Sequence, residues 1–160
     1  MNSPKIRAEI LNTGHARVKS AQLEISATPE QIFSIISNSH RHKDFDGSKT
    51  IRRQFSGAEQ LTLGSKFGMK MRLGINYQVT NTVVEFEQNK LIAWRHFGRW
   101  IWRYQLRDLG NGKTLVIESF DAENAPILAR IWLHYRKAYP WTEISIAKTL
   151  VRLKELVENE

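Results

Sequence analysis

The chain is most constrained by a run of strand-like segments between Ile51 and Asp121, joined by connections too short to hold a helix. The clearest is Lys66–Leu73, where Phe67, Met69, Met71 and Leu73 face one way and Lys66, Lys70 and Arg72 the other. Gly74 ends it. Tyr77–Glu87 follows and turns through Gln88-Asn89-Lys90 into Leu91–Phe97, and Gly98-Arg99 turns again into Trp100–Leu106. Asn111-Gly112 is a strong hairpin dipeptide before Thr114–Asp121. Parallel strands need a crossover of a dozen or more residues, so these strands pair antiparallel with their neighbours in sequence.

The flanking segments supply one earlier strand and the helices. Ala21, Leu23, Ile25 and Ala27 alternate with polar residues, and Ile51, Arg53 and Phe55 form a second alternating run that Ser56-Gly57 breaks. Thr28-Pro29-Glu30-Gln31 reads as a helix start, with Thr28 as N-cap, Pro29 at the first helical position and Gln31 completing a capping box. Ile32, Phe33, Ile35 and Ile36 are its buried stripe. After Pro126, Ile127, Ile131, Trp132 and Tyr135 recur at helical spacing. Pro140 is expected to interrupt, leaving Trp141–Glu158 as the last helix with Ile144, Ala147, Leu150 or Val151, and Leu153 or Val157 on its apolar side. A sheet with one wet face must cover the other, and this helix is the longest available cover. The expected fold is α+β: a curved antiparallel sheet of about seven strands around a long C-terminal helix, with short helical segments after the first strand. No repeat or linker divides residues 1–160, which reads as a single domain whose residues 1–15 are loosely held.

Composition narrows the chemistry. No cysteine is present, which excludes disulfides, thiolate catalysis and cysteine metal sites. The N-terminal residues have no apolar run suited to a signal peptide and no segment reaches membrane-spanning length, so a cytoplasmic location is expected. The formal charge is +8. Its basic residues are dispersed rather than run together, which favours a solvated basic surface over a nucleic-acid groove.

Several stretches carry a family resemblance: LEISATPEQIFSIIS, the FDGS after HRH, LGSKFGMKM, TNTVVEFEQNKLIAWR and WRYQLRDLGNGKTLVIESFD. With the order of elements, they resemble the helix-grip fold of the START-like (SRPBCC) superfamily, in its polyketide-cyclase/dehydrase and lipid-transport branch. The resemblance covers residues 18–121, and the terminal helix by position and pattern. Lys49 departs from it, standing where many relatives continue Asp-Gly-Ser-Gly. The resemblance implies an apolar pocket between sheet and helix, on a scaffold that hosts carriers, receptors and enzymes alike.

Strand alternation nominates the pocket lining. If Gln88-Asn89-Lys90 closes a hairpin, Val84 lies near Trp94 and Phe86 near Ile92, with His96 on the same face. Trp102, Tyr104 and Leu106 form the next row, and Val116, Glu118 and Phe120 the last. Phe67, Met69, Met71 and Leu73 complete a concave surface, and Trp141 and Ile144 face it from the helix. Aromatic and methionine side chains suit bulky apolar ligands, although from the pattern alone each is more simply core packing. Glu118, His96 and Tyr104 are polar members of this face. Glu118 or His96 is a candidate general base with Tyr104 orienting a carbonyl, while the pattern favours Glu118 as a structural anchor paired with an Arg or Tyr.

Two further features have a plain and a sharper reading. His40, His42, Asp44 and Asp46 alternate as metal ligands do, but a His-, Lys- and Asp-rich loop carrying the turn dipeptide Asp46-Gly47 reads better as a solvated turn, and no metal or other cofactor is expected. Residues 126–140 read first as an amphipathic helix packed at the sheet edge. Their alternative is a lid that touches anionic membranes transiently. Arg95 and Arg103 fall together on the outer face, where an acidic neighbour or a partner subunit would relieve repulsion. The function expected is binding or transport of a small hydrophobic molecule, lipid-, polyketide- or isoprenoid-like, by a monomer or homodimer. The alternative is a cyclase, dehydratase or hydrolase using the same pocket.

Overall fold

The computed structural model describes residues 6–160. Strands β1 (Glu9–Leu11) and β2 (Val18–Ile25) lead into α1 (Pro29–Ile36), a 3-10 turn (Ser39–Arg41) and α2 (His42–Phe45). The meander follows as β3 (Ile51–Gly57), β4 (Lys66–Leu73), β5 (Ile75–Glu87), β6 (Leu91–Arg95), β7 (Ile101–Gly110) and β8 (Lys113–Asp121). Helices α3 (Ile127–Tyr135) and α4 (Ala138–Glu158) end the chain. The sheet is antiparallel throughout, in the order β1-β2-β8-β7-β6-β5-β4-β3. The long-range pairing of β2 with β8 sends α1 and α2 across to reach β3 at the far edge.

Among the described residues the sheet has eight strands rather than about seven. The extra one is β1, where Glu9, Ile10 and Leu11 pair with Gln22, Ala21 and Ser20, so this part of the N-terminal region is ordered by backbone pairing that its weak side-chain pattern does not reveal. Residues 1–5, also expected to be loosely held, lie outside the described residues.

The start of α1 follows the capping logic. Gln31 N–H donates to Thr28 Oγ1, Thr28 N–H donates to Gln31 Oε1 at 2.9 Å, and Pro29 occupies the first turn. Ile32, Phe33, Ile35 and Ile36 are buried as expected.

The last helix departs from expectation. Pro140 lies inside the first turn of α4, where its missing N–H would have had no helical acceptor, so it does not break the helix. The break falls at Lys137, whose φ of 53° lies in the left-handed region.

Helix α4 packs along β2, with α2 and β8 beside it. Its buried residues are Thr142, Ser145, Ile146, Thr149, Leu150 and Leu153. The inward stripe is therefore half polar, and a search for apolar periodicity mistakes its phase. Ile144 is 56% exposed and Trp141 42%. Both lie outside the concave face that the sequence pattern assigned them.

The loop between α2 and β3 fixes α4 against the sheet. Asp46 accepts from the backbone N–H groups of Ser48, Thr50 and Ile51 at 2.8–2.9 Å. Gly47 N–H donates to Thr149 Oγ1 at 2.9 Å, and a Cβ on Gly47 would meet Thr149 N, with Lys148 Cβ and Ser145 O at 2.6 Å. Only glycine allows the loop this close to the helix backbone. Lys49 adopts φ 57°, a strain that a glycine there would relieve.

Candidate functional site

Five elements converge on a closed aromatic cage. Tyr104 on β7 lies between Ile92 on β6 and Glu118 on β8, and Trp94, Trp102 and Phe120 form the adjacent cross-strand row. From α2, His42 stacks on Trp94 with ring centroids 4.8 Å apart, and Phe45 meets Tyr104 edge-on at 6.4 Å. Phe67 of β4 meets both His42 (5.6 Å) and Trp94 (5.7 Å) at steep angles. Such edge-to-face and offset pairs add to the burial of large apolar area.

Burial disfavours charge on the polar groups in this cage. Glu118 is 2% exposed, and burial drives its carboxyl well above the usual carboxylate range; the nearby Tyr104 hydroxyl offsets part of this, and the charge of Asp46 adds to it. Its Oε2 has no hydrogen-bond partner among the described residues. Tyr104 is raised by burial and then by Glu118. Burial lowers His42 to about 4, against the hydrogen bond its Nε2–H donates to the Ile36 carbonyl at 2.7 Å. Burial thus favours the protonated carboxyl of Glu118, a form that can donate a hydrogen bond.

The nominated residues divide among several places. Phe67, Trp94, Trp102, Tyr104, Glu118 and Phe120 come together, and Met69 is buried in the same core with Met71 packed against it. Phe86 reaches the cluster by meeting Phe33 at 5.6 Å. Val84 does not join it. A bulge between Val83 and Glu85 shifts the register, so Val83 is buried opposite Trp94.

His96 lies just beyond β6, where its ring stacks on Trp100 at 4.6 Å and its Nδ1 accepts from Gly98 N–H at 3.3 Å. Burial lowers it to about 4. Trp100 stacks in turn on Trp132 of α3 at 6.3 Å, and the Arg136 guanidinium sits 4.7 Å above that indole.

Sequence reasoning missed His42 and Phe45 by reading their loop as solvated. Their three-residue spacing puts both on one face of a helical turn, which was the available clue. Asp44 instead pairs with Arg41 at 2.8 Å, and among the described residues no three His, Asp or Glu side chains converge as metal ligands. Arg103 holds Glu85 by two hydrogen bonds of 2.6 and 2.7 Å, with Asp121 at 3.9 Å, so acidic neighbours relieve the outer face.

The concave face is filled by these side chains. Two surface recesses lie elsewhere, one of about 280 Å³ between Lys90, Arg107 and Ile117, the other of about 460 Å³ beside the β1–β2 turn. No helix among the described residues is long and apolar enough to cross a membrane.

Comparison with known proteins places the architecture. No family model matches the chain. The Mycobacterium tuberculosis protein Rv0088 is 34% identical over 113 residues, 70% of this chain and 50% of the relative, and MT0096 from a second strain matches equally. The chain thus spans about half the length of the curated relatives it matches. Among solved structures, the Polyketide_cyc-like protein Cgl2372 of Corynebacterium glutamicum has a TM-score of 0.58 at 18% identity, covering 88% of this chain and 91% of that one. An Arthrobacter aurescens protein reaches 0.73 at 12% identity, covering 95% and 92%, and a Rhodobacter sphaeroides protein 0.71 at 15%, covering 97% and 100%. The chain belongs to one family with Rv0088, and it shares with the solved structures the helix-grip fold, a curved antiparallel sheet around a long C-terminal helix.

Proposed function

We propose that this helix-grip chain binds a small hydrophobic molecule carrying one carbonyl or hydroxyl on an apolar body, a class that includes polyketide- and isoprenoid-like compounds. The observation that carries the reading is Glu118: a buried carboxyl with an unpartnered oxygen, set among aromatic rings, where burial favours its protonated form. An unsatisfied buried polar atom is costly, and a ligand oxygen accepting from Glu118 would relieve that cost. A ligand needs room, and α3 is the element best suited to yield it. Leu133 is its one buried side chain, and it is bounded by Pro126 and by the left-handed Lys137.

The test uses matched probes, acetylnaphthalene and ethylnaphthalene, titrated against the intrinsic tryptophan fluorescence. The acetyl compound should bind about ten-fold more tightly to the native chain, the worth of one buried hydrogen bond. Glu118→Leu should abolish the preference and Glu118→Gln, which still donates, should keep most of it. Equal affinity of the native chain for both probes would overturn the reading.

A further inference from the structure

We infer that the α3 end of the molecule is a docking surface for an anionic lipid bilayer. Ile127, Leu128, Ile131 and Tyr135 fall within an arc of about 100° on the helix. All four are exposed, Leu128 at 76% and Tyr135 at 86%, while Leu133 on the opposite side is the residue that packs inward. Amphipathic helices of globular proteins turn their apolar arc to the core; here the wider apolar arc faces out.

Neighbouring segments extend the same face. Trp132 stacks on Trp100, which adjoins Phe97, 80% exposed at the β6–β7 turn. The β4–β5 tip, where Ile75 is 75% exposed, points the same way along the antiparallel sheet as the β6–β7 turn. Three apolar segments therefore lie toward one end of the sheet.

Charge identifies the occupant. No acidic residue occurs within 66–80, 91–107 or 124–142, and Asp121 and Glu123, which end β8 beside these segments, are matched by Arg103 at 3.9 Å and Arg17 at 4.0 Å. Arg130, Arg136 and Lys137 line α3, and Arg72 and Arg99 lie beside the two hairpin tips. A second copy would bring like charges together around the apolar centre. An anionic bilayer would neutralise them while taking up the apolar tips. The nine residues of α3 span about 13 Å, well short of a hydrocarbon core of about 30 Å, so the helix would lie in the interface plane. This docking does not depend on what the interior holds.

Cosedimentation with vesicles of phosphatidylcholine alone, and of phosphatidylcholine mixed with phosphatidylglycerol, tests the surface. The native chain should partition onto the mixed vesicles at least about ten-fold better, and lose that advantage in high salt. The double variant Leu128→Ser/Tyr135→Ser should bind mixed vesicles about ten-fold or more weakly with its melting temperature held, since both residues are exposed. Arg136→Gln/Lys137→Gln should lose about ten-fold on mixed vesicles only. No binding by the native chain, equal binding to both vesicles, or undiminished binding by the folded apolar variant would overturn the inference. So would a native dimer that the apolar variant dissociates, which would assign the face to a second copy.

Discussion

Trp94 and Trp132 are both indoles stacked against a nitrogen-bearing neighbour, His42 at 4.8 Å in one case and Arg136 at 4.7 Å in the other. Trp94 is closed in by Phe67 and Tyr104, whereas Trp132 has about half its surface in water. In the closed cage burial disfavours charge: it lowers His42 to about 4 and raises Glu118 above the usual carboxylate range. At the open face the neighbour is a guanidinium, which keeps its charge and gains by lying over the ring. Similar side chains thus build an interior where burial disfavours charge and an open exterior that carries it. Solvent access makes the difference.

Deleting a ring from the cage tests the contrast most severely. Phe67→Ala should cost about 4 kcal/mol in chemical denaturation, the usual range for a fully buried phenylalanine. A loss under about 1 kcal/mol would mean that the cage is loosely packed and the contrast false.

Gly47→Ala should cost about 3 kcal/mol, because the new Cβ collides with the α4 backbone at Thr149. Unchanged stability by the same measurement would show that α4 is free to shift away from the loop.

The pH dependence sharpens the interior half. His42 falls from 6.5 to about 4, so its contribution is full above pH 6.5 and is lost as pH drops toward 4, about 3 kcal/mol in all. His96, also lowered to about 4, acts in the same direction. Glu118 acts oppositely: with its value raised, its contribution is full below pH 4.5 and fades as pH climbs above that. Between 4.5 and 6.5 the slopes oppose each other. Glu118→Gln should unmask a stability that falls as pH drops through this window, read by thermal melts at each pH. Parallel profiles for the native chain and the variant would show that Glu118 titrates normally.

The smallest effect belongs to the open face. Leu128→Ser should alter stability by less than about 0.5 kcal/mol, since it removes nothing packed. A larger loss would mean that α3 is seated on protein, and would erase the distinction between the two regions.

Much of the frame was legible because its rules are local. The capping box at Thr28–Gln31, the hairpin turns and the shared face of Trp102, Tyr104 and Leu106 depend on residues close in sequence, and the structure contains each. Val84 was misplaced because a bulge changes strand parity without leaving a mark in hydrophobic alternation. Trp141 and Ile144 were misplaced because the inward stripe of α4 includes Thr142, Ser145 and Thr149, and a pattern search counts polar residues as outward. The β1 strand escaped notice because its backbone pairing needs no apolar pattern.

The sequence by itself determined that the chain makes an antiparallel meander closed by a long helix, since short turns and period-two runs leave little else possible. Tertiary structure alone decided the chemistry of the site. Glu118 is raised above the usual carboxylate range because it is buried opposite Tyr104 where β7 and β8 pair, and His42 lies inside because its ring and the Ile36 carbonyl complete each other there. Desolvation belongs to an enclosed volume, and no single stretch of chain encloses one.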